Sequence, residues 1–223
     1  MTPRELLATA RIPGGSDMKL YCRGGDHMIV VDRDELMSSR MSGSEEALAV
    51  MTAQRLGARA APQWLIGGYG MGFTLRAALS ELPSDGRVTV AELVPEIIDW
   101  AKGPMAAMTG SSLDDPRVTI RIGDVADAIA GGRATYDAIL LDVDNGPDGL
   151  VRAANDRLYS NAGLAAARAA LTKDGILAIW SAAPDPAFTK RLAGAGFSVA
   201  QEVVRARSNG KGPRHNIWFA KAR

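Results

Sequence analysis

Glu92, Asp124, Asp142 and Asp144 each stand at or just beyond the end of an apolar, strand-like run. A carboxylate so placed can accept both hydroxyls of a ribose, or orient and deprotonate an amine or hydroxyl nucleophile. A glycine turn, Gly67-Gly68-Tyr69-Gly70-Met71-Gly72, separates the apolar run Trp64–Ile66 from a helical pattern that starts at Phe73. Glycine allows positive φ and lets backbone pass close to a ligand. The helix behind the turn offers free N–H groups and a partial positive charge. Gly68, Gly70 and Gly72 give G-x-G-x-G, whereas a dinucleotide fingerprint needs its third glycine where Phe73 stands. A phosphate-binding loop needs Lys followed by Ser or Thr, and neither is present. Glu92 follows Gly72 by twenty residues, the spacing of a ribose-binding acid.

Positioning these groups requires a layered α/β fold. From Trp64 onward, apolar runs alternate with helical patterns, which predicts a parallel sheet with helices on both faces. The expected strands are 64–67, 87–92, 117–122, 136–142, 175–181, 197–205 and 214–221. The expected helices are 72–82, 94–109, 124–131, 160–172 and 185–195, with Pro95 in a first turn and Gly196 after a helix end. In an open sheet of this kind ligands bind beyond the carboxyl ends of the strands, which gathers all four acids beside the glycine turn. Ahead of this core, residues 1–17 read as an extended or poorly ordered lead. Met18–Arg23 and His27–Asp32 read as a short hairpin around Gly24-Gly25-Asp26. Ser44 reads as the N-cap of a helix reaching about Leu56, with Glu45 and Glu46 in its first turn. The boundary expected from this pattern separates 1–60 from 61–223.

Charge and composition narrow the function. The chain has 223 residues, 47% of them hydrophobic, and a formal net charge of +1. That balance points to neither nucleic acid nor membrane as a partner. Cys22 is alone and the only histidines are His27 and His215, so no metal site is expected. No apolar run is long enough to span a membrane and the first residues do not read as a signal peptide, so a cytoplasmic location is expected. Arg205, Arg207, Lys211, Arg214, Lys221 and Arg223 make the last segment basic. They would form a solvated terminal hairpin or a loop that recognises an anion. His215 reads as structural.

Leu65–Gly72, Ala91-Glu92, Asp115–Val118, Ile122–Asp124 and Tyr136–Asp142 together resemble the spermidine synthase-like branch of the AdoMet-dependent methyltransferase superfamily. The resemblance covers roughly residues 18 to 221. It implies a Rossmann-like class I methyltransferase fold: a seven-stranded, mostly parallel sheet preceded by the short hairpin. It implies that Gly67, Gly68, Tyr69, Gly70 and Gly72 wrap the amino acid end of S-adenosyl-L-methionine and that Glu92, with Leu93 beside it, holds the ribose. Gly123 and Asp124 would meet the adenine, and Asp142 would lie at the sulfonium with Asp144 as a second catalytic acid. Polyamine synthases carry an Asp where this chain has Gly70, and an Asp-Ser/Ala-x-Asp-Pro loop where it has Asp142-Val143-Asp144-Asn145-Gly146. That Asp pairs with the ammonium of decarboxylated AdoMet, and glycine cannot. The expectation is therefore methyl transfer from intact AdoMet to a small-molecule N or O nucleophile, with Asp142 and Asp144 as catalytic residues. Polyamine aminopropyl transfer is the alternative. Nucleic acid is not an expected partner, and a homodimer is compatible with this reading.

Overall fold

The computed structural model describes residues 3–143 and 156–222; Asp144, expected to be catalytic, lies outside them, as do Asn145 and Gly146. Four strands open the chain: β1 (Glu5–Arg11), β2 (Asp17–Arg23), β3 (Asp26–Val31) and β4 (Asp34–Ser38), antiparallel and in chain order. The expected hairpin is β2–β3. Gly24 and Gly25 take φ of 59° and 89°, the backbone that a two-residue turn between twisted strands requires. The stretch expected to be a lead is β1, which pairs with β2 and buries Ala10. Met37 and its neighbours, ambiguous in sequence, form the edge strand β4.

The seven-stranded sheet runs β10-β11-β9-β8-β5-β6-β7. Its strands are β5 (Gln63–Gly67), β6 (Arg87–Glu92), β7 (Val118–Ile122), β8 (Tyr136–Leu141), β9 (Leu171–Ser181), β10 (Phe197–Arg205) and β11 (Arg214–Ala222). The first five are parallel, and β11 is antiparallel to both neighbours. The helices are α1 (Gly43–Leu56), α2 (Phe73–Glu81), α3 (Pro95–Lys102), α4 (Ala106–Thr109), α5 (Val125–Ala130), α6 (Asp156–Tyr159), α7 (Asn161–Ala170) and α8 (Pro186–Gly194). The single helix expected over 94–109 is two, because Gly103-Pro104 interrupts it and proline can supply no helical N–H. Among the described residues, no helix is long and apolar enough to cross a membrane.

Alternation along each strand divides the core in two, as side chains two apart share a face. Trp64, Ile66, Ala138, Leu140, Ala178 and Ile217 pack with Leu48 of α1, Leu75 of α2 and Ile97 of α3. The same cluster takes in Met18, Leu20 and Ile29, so the N-terminal sheet is built into this face. Leu65, Ile139, Leu141, Ile179 and Trp218 face the other way, against α5, α7 and α8. Chain order reverses between β5 and β8, the place where an open α/β sheet leaves a crevice at its carboxyl edge.

Candidate active site

Backbone pairing sets the frame of that crevice. The Asp142 N–H donates to Gly67 C=O at 3.2 Å, Gly68 N–H to Ala91 C=O at 2.9 Å, and Gly123 N–H to Glu92 C=O at 2.8 Å. The glycine turn, Glu92 and Asp142 are thereby held level across neighbouring strands. At Gly68 φ is 82°, and a Cβ would lie 2.8 Å from the Asp142 carbonyl oxygen, so turn and strand end touch only because that side chain is absent.

Above this floor opens a cleft of about 140 Å³. Gly68, Gly70, Glu92, Leu93, Gly123, Asp124 and Asp142, all expected at the site, line it. Gly67, Tyr69 and Gly72 stand behind it. The Tyr69 ring is buried, with its hydroxyl against Gly72, and only its backbone N–H serves the site. None of the described basic residues of the terminal hairpin lines the cleft, Lys221 pairs with Asp174, and Arg223 lies outside the described residues.

Each carboxylate is held differently. Glu92 is buried and accepts from Tyr69 N–H and Val94 N–H, each at 2.8 Å. Burial raises its pKa, while the turn's N–H groups oppose that by stabilising the anion. Those bonds leave further acceptor capacity on both oxygens. Asp124 caps α5 by accepting from Ala126 N–H at 2.8 Å, and Arg157 of α6 reaches its other oxygen at 2.6 Å. Asp142 receives the Thr74 hydroxyl at 2.6 Å. Desolvation still pushes its carboxyl up to about 6.

Glu45, read from the sequence only as a first-turn acid of α1, is a further acid of the cleft. It is 6% exposed and lines the cleft. Burial, and then the charge of Asp142, push its carboxyl up to about 8. Two desolvated carboxyls that repel each other hold a proton near neutral pH and titrate as a unit. Ser44 was expected to cap α1; the helix starts at Gly43, and the Ser44 hydroxyl instead donates to Glu45 Oε2 at 2.6 Å. The signal was present in the spacing: Glu45 shares its helix face with Leu48, Ala49 and Thr52, all buried. Trp180 also lines the cleft, with an indole N–H that has no partner among the described residues.

Against known families, the Spermine/spermidine synthase domain matches residues 48–193, more than half of the chain. The chain belongs to the spermine/spermidine synthase family. It is 31% identical over 184 residues to a polyamine aminopropyltransferase of Mycobacterium tuberculosis, covering 81% of this chain and 31% of that protein. A polyamine aminopropyltransferase of Bacillus mycoides is 30% identical over 141 residues, covering 62% of this chain and 47% of the other. The chain spans less than half the length of these curated relatives. Among solved structures, spermidine synthase from Thermotoga maritima superposes with a TM-score of 0.74 at 16% identity, covering 98% of this chain and 73% of that one. A spermidine synthase bound to the transition state analogue AdoDATO gives 0.76 at 17% identity, with the same coverage. At such identity these structures establish the shared fold.

Family membership overturns the expectation of a methyltransferase using intact AdoMet, because the relatives are aminopropyltransferases. The argument from Gly70 fails on physical grounds. Gly70 takes φ of 53°, and a Cβ there would lie 2.6 Å from Met37 Sδ and 2.9 Å from its Cε. Backbone conformation and the end of a side chain from β4 both favour glycine at this position, and that preference does not depend on the charge of the donor. In this spermine/spermidine synthase family member a further buried carboxyl comes instead from α1, as Glu45.

Proposed function

We propose that the protein is a polyamine aminopropyltransferase that moves the aminopropyl group of decarboxylated AdoMet to a primary amine of a small diamine or polyamine. One observation carries this reading: among the described residues, those lining the cleft include Glu45, Glu92, Asp124 and Asp142 and not one basic side chain. Donor and acceptor are both cations under physiological conditions, and such a lining favours both. Trp180 adds an aromatic wall, to which a desolvated ammonium is attracted by about 2 kcal/mol.

In this assignment the glycine turn and Glu92 hold the nucleoside, with Gly123 and Asp124 at the far end of the same cleft. The Asp142–Glu45 pair takes a proton from the acceptor's ammonium. The freed lone pair attacks the aminopropyl carbon next to sulfur, and the C–S electrons go to sulfur, which leaves as a neutral thioether. The donor is already activated, so the protein chiefly deprotonates and aligns. A carboxyl pair whose pKa lies nearer neutrality than an ordinary acid's is better matched to that transfer.

The test is direct. Purified protein given decarboxylated AdoMet and putrescine should form 5′-methylthioadenosine and spermidine in equal amounts, measured by chromatography with mass detection. Production of S-adenosylhomocysteine and a methylated amine from AdoMet, with no methylthioadenosine from the decarboxylated donor, would reject the assignment.

A further inference from the structure

A chain of short hydrogen bonds leads from the cleft to the partly exposed imidazole of His215. The Ser44 hydroxyl lies 2.6 Å from Glu45 Oε2 and 2.9 Å from His215 Nδ1. Ser44 has no solvent exposure, and His215, on β11, is only partly covered. Trp180, a cleft residue, meets the imidazole edge-on with ring centroids 4.7 Å apart, which fixes the ring's position. A hydroxyl between a carboxyl and an imidazole has two consistent arrangements. With Glu45 ionised, Ser44 donates to it and accepts from Nδ1–H. With Glu45 protonated, the carboxyl donates to Ser44, and Ser44 donates to a bare Nδ1. The two differ by a proton shift, with no movement of heavy atoms.

We propose that Ser44 and His215 form a proton relay that empties the Glu45–Asp142 pair after each turnover. The proposal rests on the aminopropyl-transfer reading of the cleft. In that reaction each ammonium acceptor leaves one proton on the carboxyl pair, and the product amine keeps its own positive charge. The stored proton must depart before the pair can act again. It passes from Glu45 Oε2 to Ser44 Oγ while the Ser44 proton passes to His215 Nδ1. The resulting imidazolium gives one proton to water. The charged groups facing Glu45, Asp142 across the cleft and Glu46 beside it, are both acids that hold the proton on Glu45, and Thr74 from α2 is neutral, so the proton leaves only where a base stands at the other end of the chain. Burial makes His215 a weaker base than an ordinary imidazole, so it passes the proton on rather than retaining it. Its neighbours on β9, β10 and α1 are the uncharged Trp180, Val204 and Ser44.

Two measurements decide the matter. In steady-state aminopropyl transfer, Ser44→Ala and His215→Ala should lower kcat about 10- to 100-fold, with KM for both substrates and Tm unchanged. Added imidazole should restore part of the His215→Ala rate, and Ser44→Thr should keep most of the wild-type rate. Unchanged kcat in both alanine variants, or a loss that imidazole does not relieve, overturns the relay. The second measurement needs no turnover. The ring 15N shifts of His215, assigned with the help of His27→Gln, should show a step as Glu45 ionises near pH 8, because Nδ1 then changes from accepting from Ser44 to donating to it, and the step should vanish in Glu45→Gln. No step in the wild-type protein overturns the relay even if the enzyme proves inactive, whereas inactivity with the step present rejects only the aminopropyl reading.

Discussion

Strand β8 has an aspartate near each end, and the two are treated in opposite ways. Asp137, near its start, accepts from Arg59 Nη1 at 2.7 Å, from Thr172 Oγ1 at 2.8 Å and from Gln63 N–H at 2.9 Å. Arg59 also donates to Thr172 and to the Lys173 carbonyl, so one ion pair joins the beginnings of β5, β8 and β9. Asp142, just past the other end, has one side-chain donor, Thr74, and a second carboxyl facing it. A buried charge with its partners in place is a structural tie. A half-buried charge facing another of its own sign is unstable until a cation or proton arrives, so that site holds affinity in reserve.

The largest expected effect breaks the unbalanced end. Asp142→Asn should reduce kcat/KM by on the order of 10³-fold, the range associated with loss of a positioned base. Stability should not fall, because the variant removes a repelled, desolvated charge. Steady-state kinetics paired with thermal melting checks both halves, and a parallel loss of Tm would mean that Asp142 is structural after all. The balanced end should respond the other way. Arg59→Met leaves Asp137 without this cationic partner and should cost about 2–3 kcal/mol of stability, below the figure for a fully buried pair because both groups keep some solvent contact. Per folded molecule, activity should stay near wild type. Denaturant unfolding measures the first quantity, and a variant as stable as wild type would remove the tie.

Much of this contrast could be read from the chain beforehand. Trp64–Ile66 and Ala138–Leu141 are apolar throughout, as strands of a parallel sheet covered on both faces must be, so their existence and class follow from local pattern. The glycine turn and Glu92 lie on consecutive strands of a parallel unit, where register is short-range and their meeting could be foreseen. Glu45 and Trp180 escaped notice because they reach the cleft from elements distant in sequence, and no local pattern records that meeting. Gly70 misled for the same reason: the turn was judged by itself, whereas Glu45 brings a carboxyl to the same cleft from α1. Residues 5–11 carry weak alternation and form β1 only because β2 is there to pair with.

Glu92 tests whether the comparison extends to a third carboxylate, one balanced by backbone N–H groups rather than by a cation. Glu92→Gln keeps the shape but loses the anion that receives the ribose hydroxyls. Affinity for decarboxylated AdoMet or methylthioadenosine should fall by about 1.5–3 kcal/mol, roughly 10- to 150-fold. Calorimetric titration with methylthioadenosine suffices, and unchanged affinity would remove Glu92 from the nucleoside site.

The smallest expected effect concerns pH. Glu45 has a folded-state pKa raised to about 8 from an ordinary 4.5, and that of Asp142 is raised in the same direction. A group whose folded pKa is raised binds more protons folded than unfolded, so stability declines as pH climbs between the two values. The wild-type protein should therefore lose stability progressively from about pH 4.5 to pH 8 through this pair. Glu45→Gln removes one of the two groups and relieves the other, so its stability should be flatter across the same interval. Water in the open cleft screens the repulsion, which keeps the difference to about 1 kcal/mol at the alkaline end, or 2–4 °C in Tm for a chain of this size. Melting curves for both proteins across that interval give the answer. A variant that loses stability with pH as steeply as wild type would show that Glu45 carries no strained charge. The contrast between the two ends of β8 would then rest on Asp142 alone.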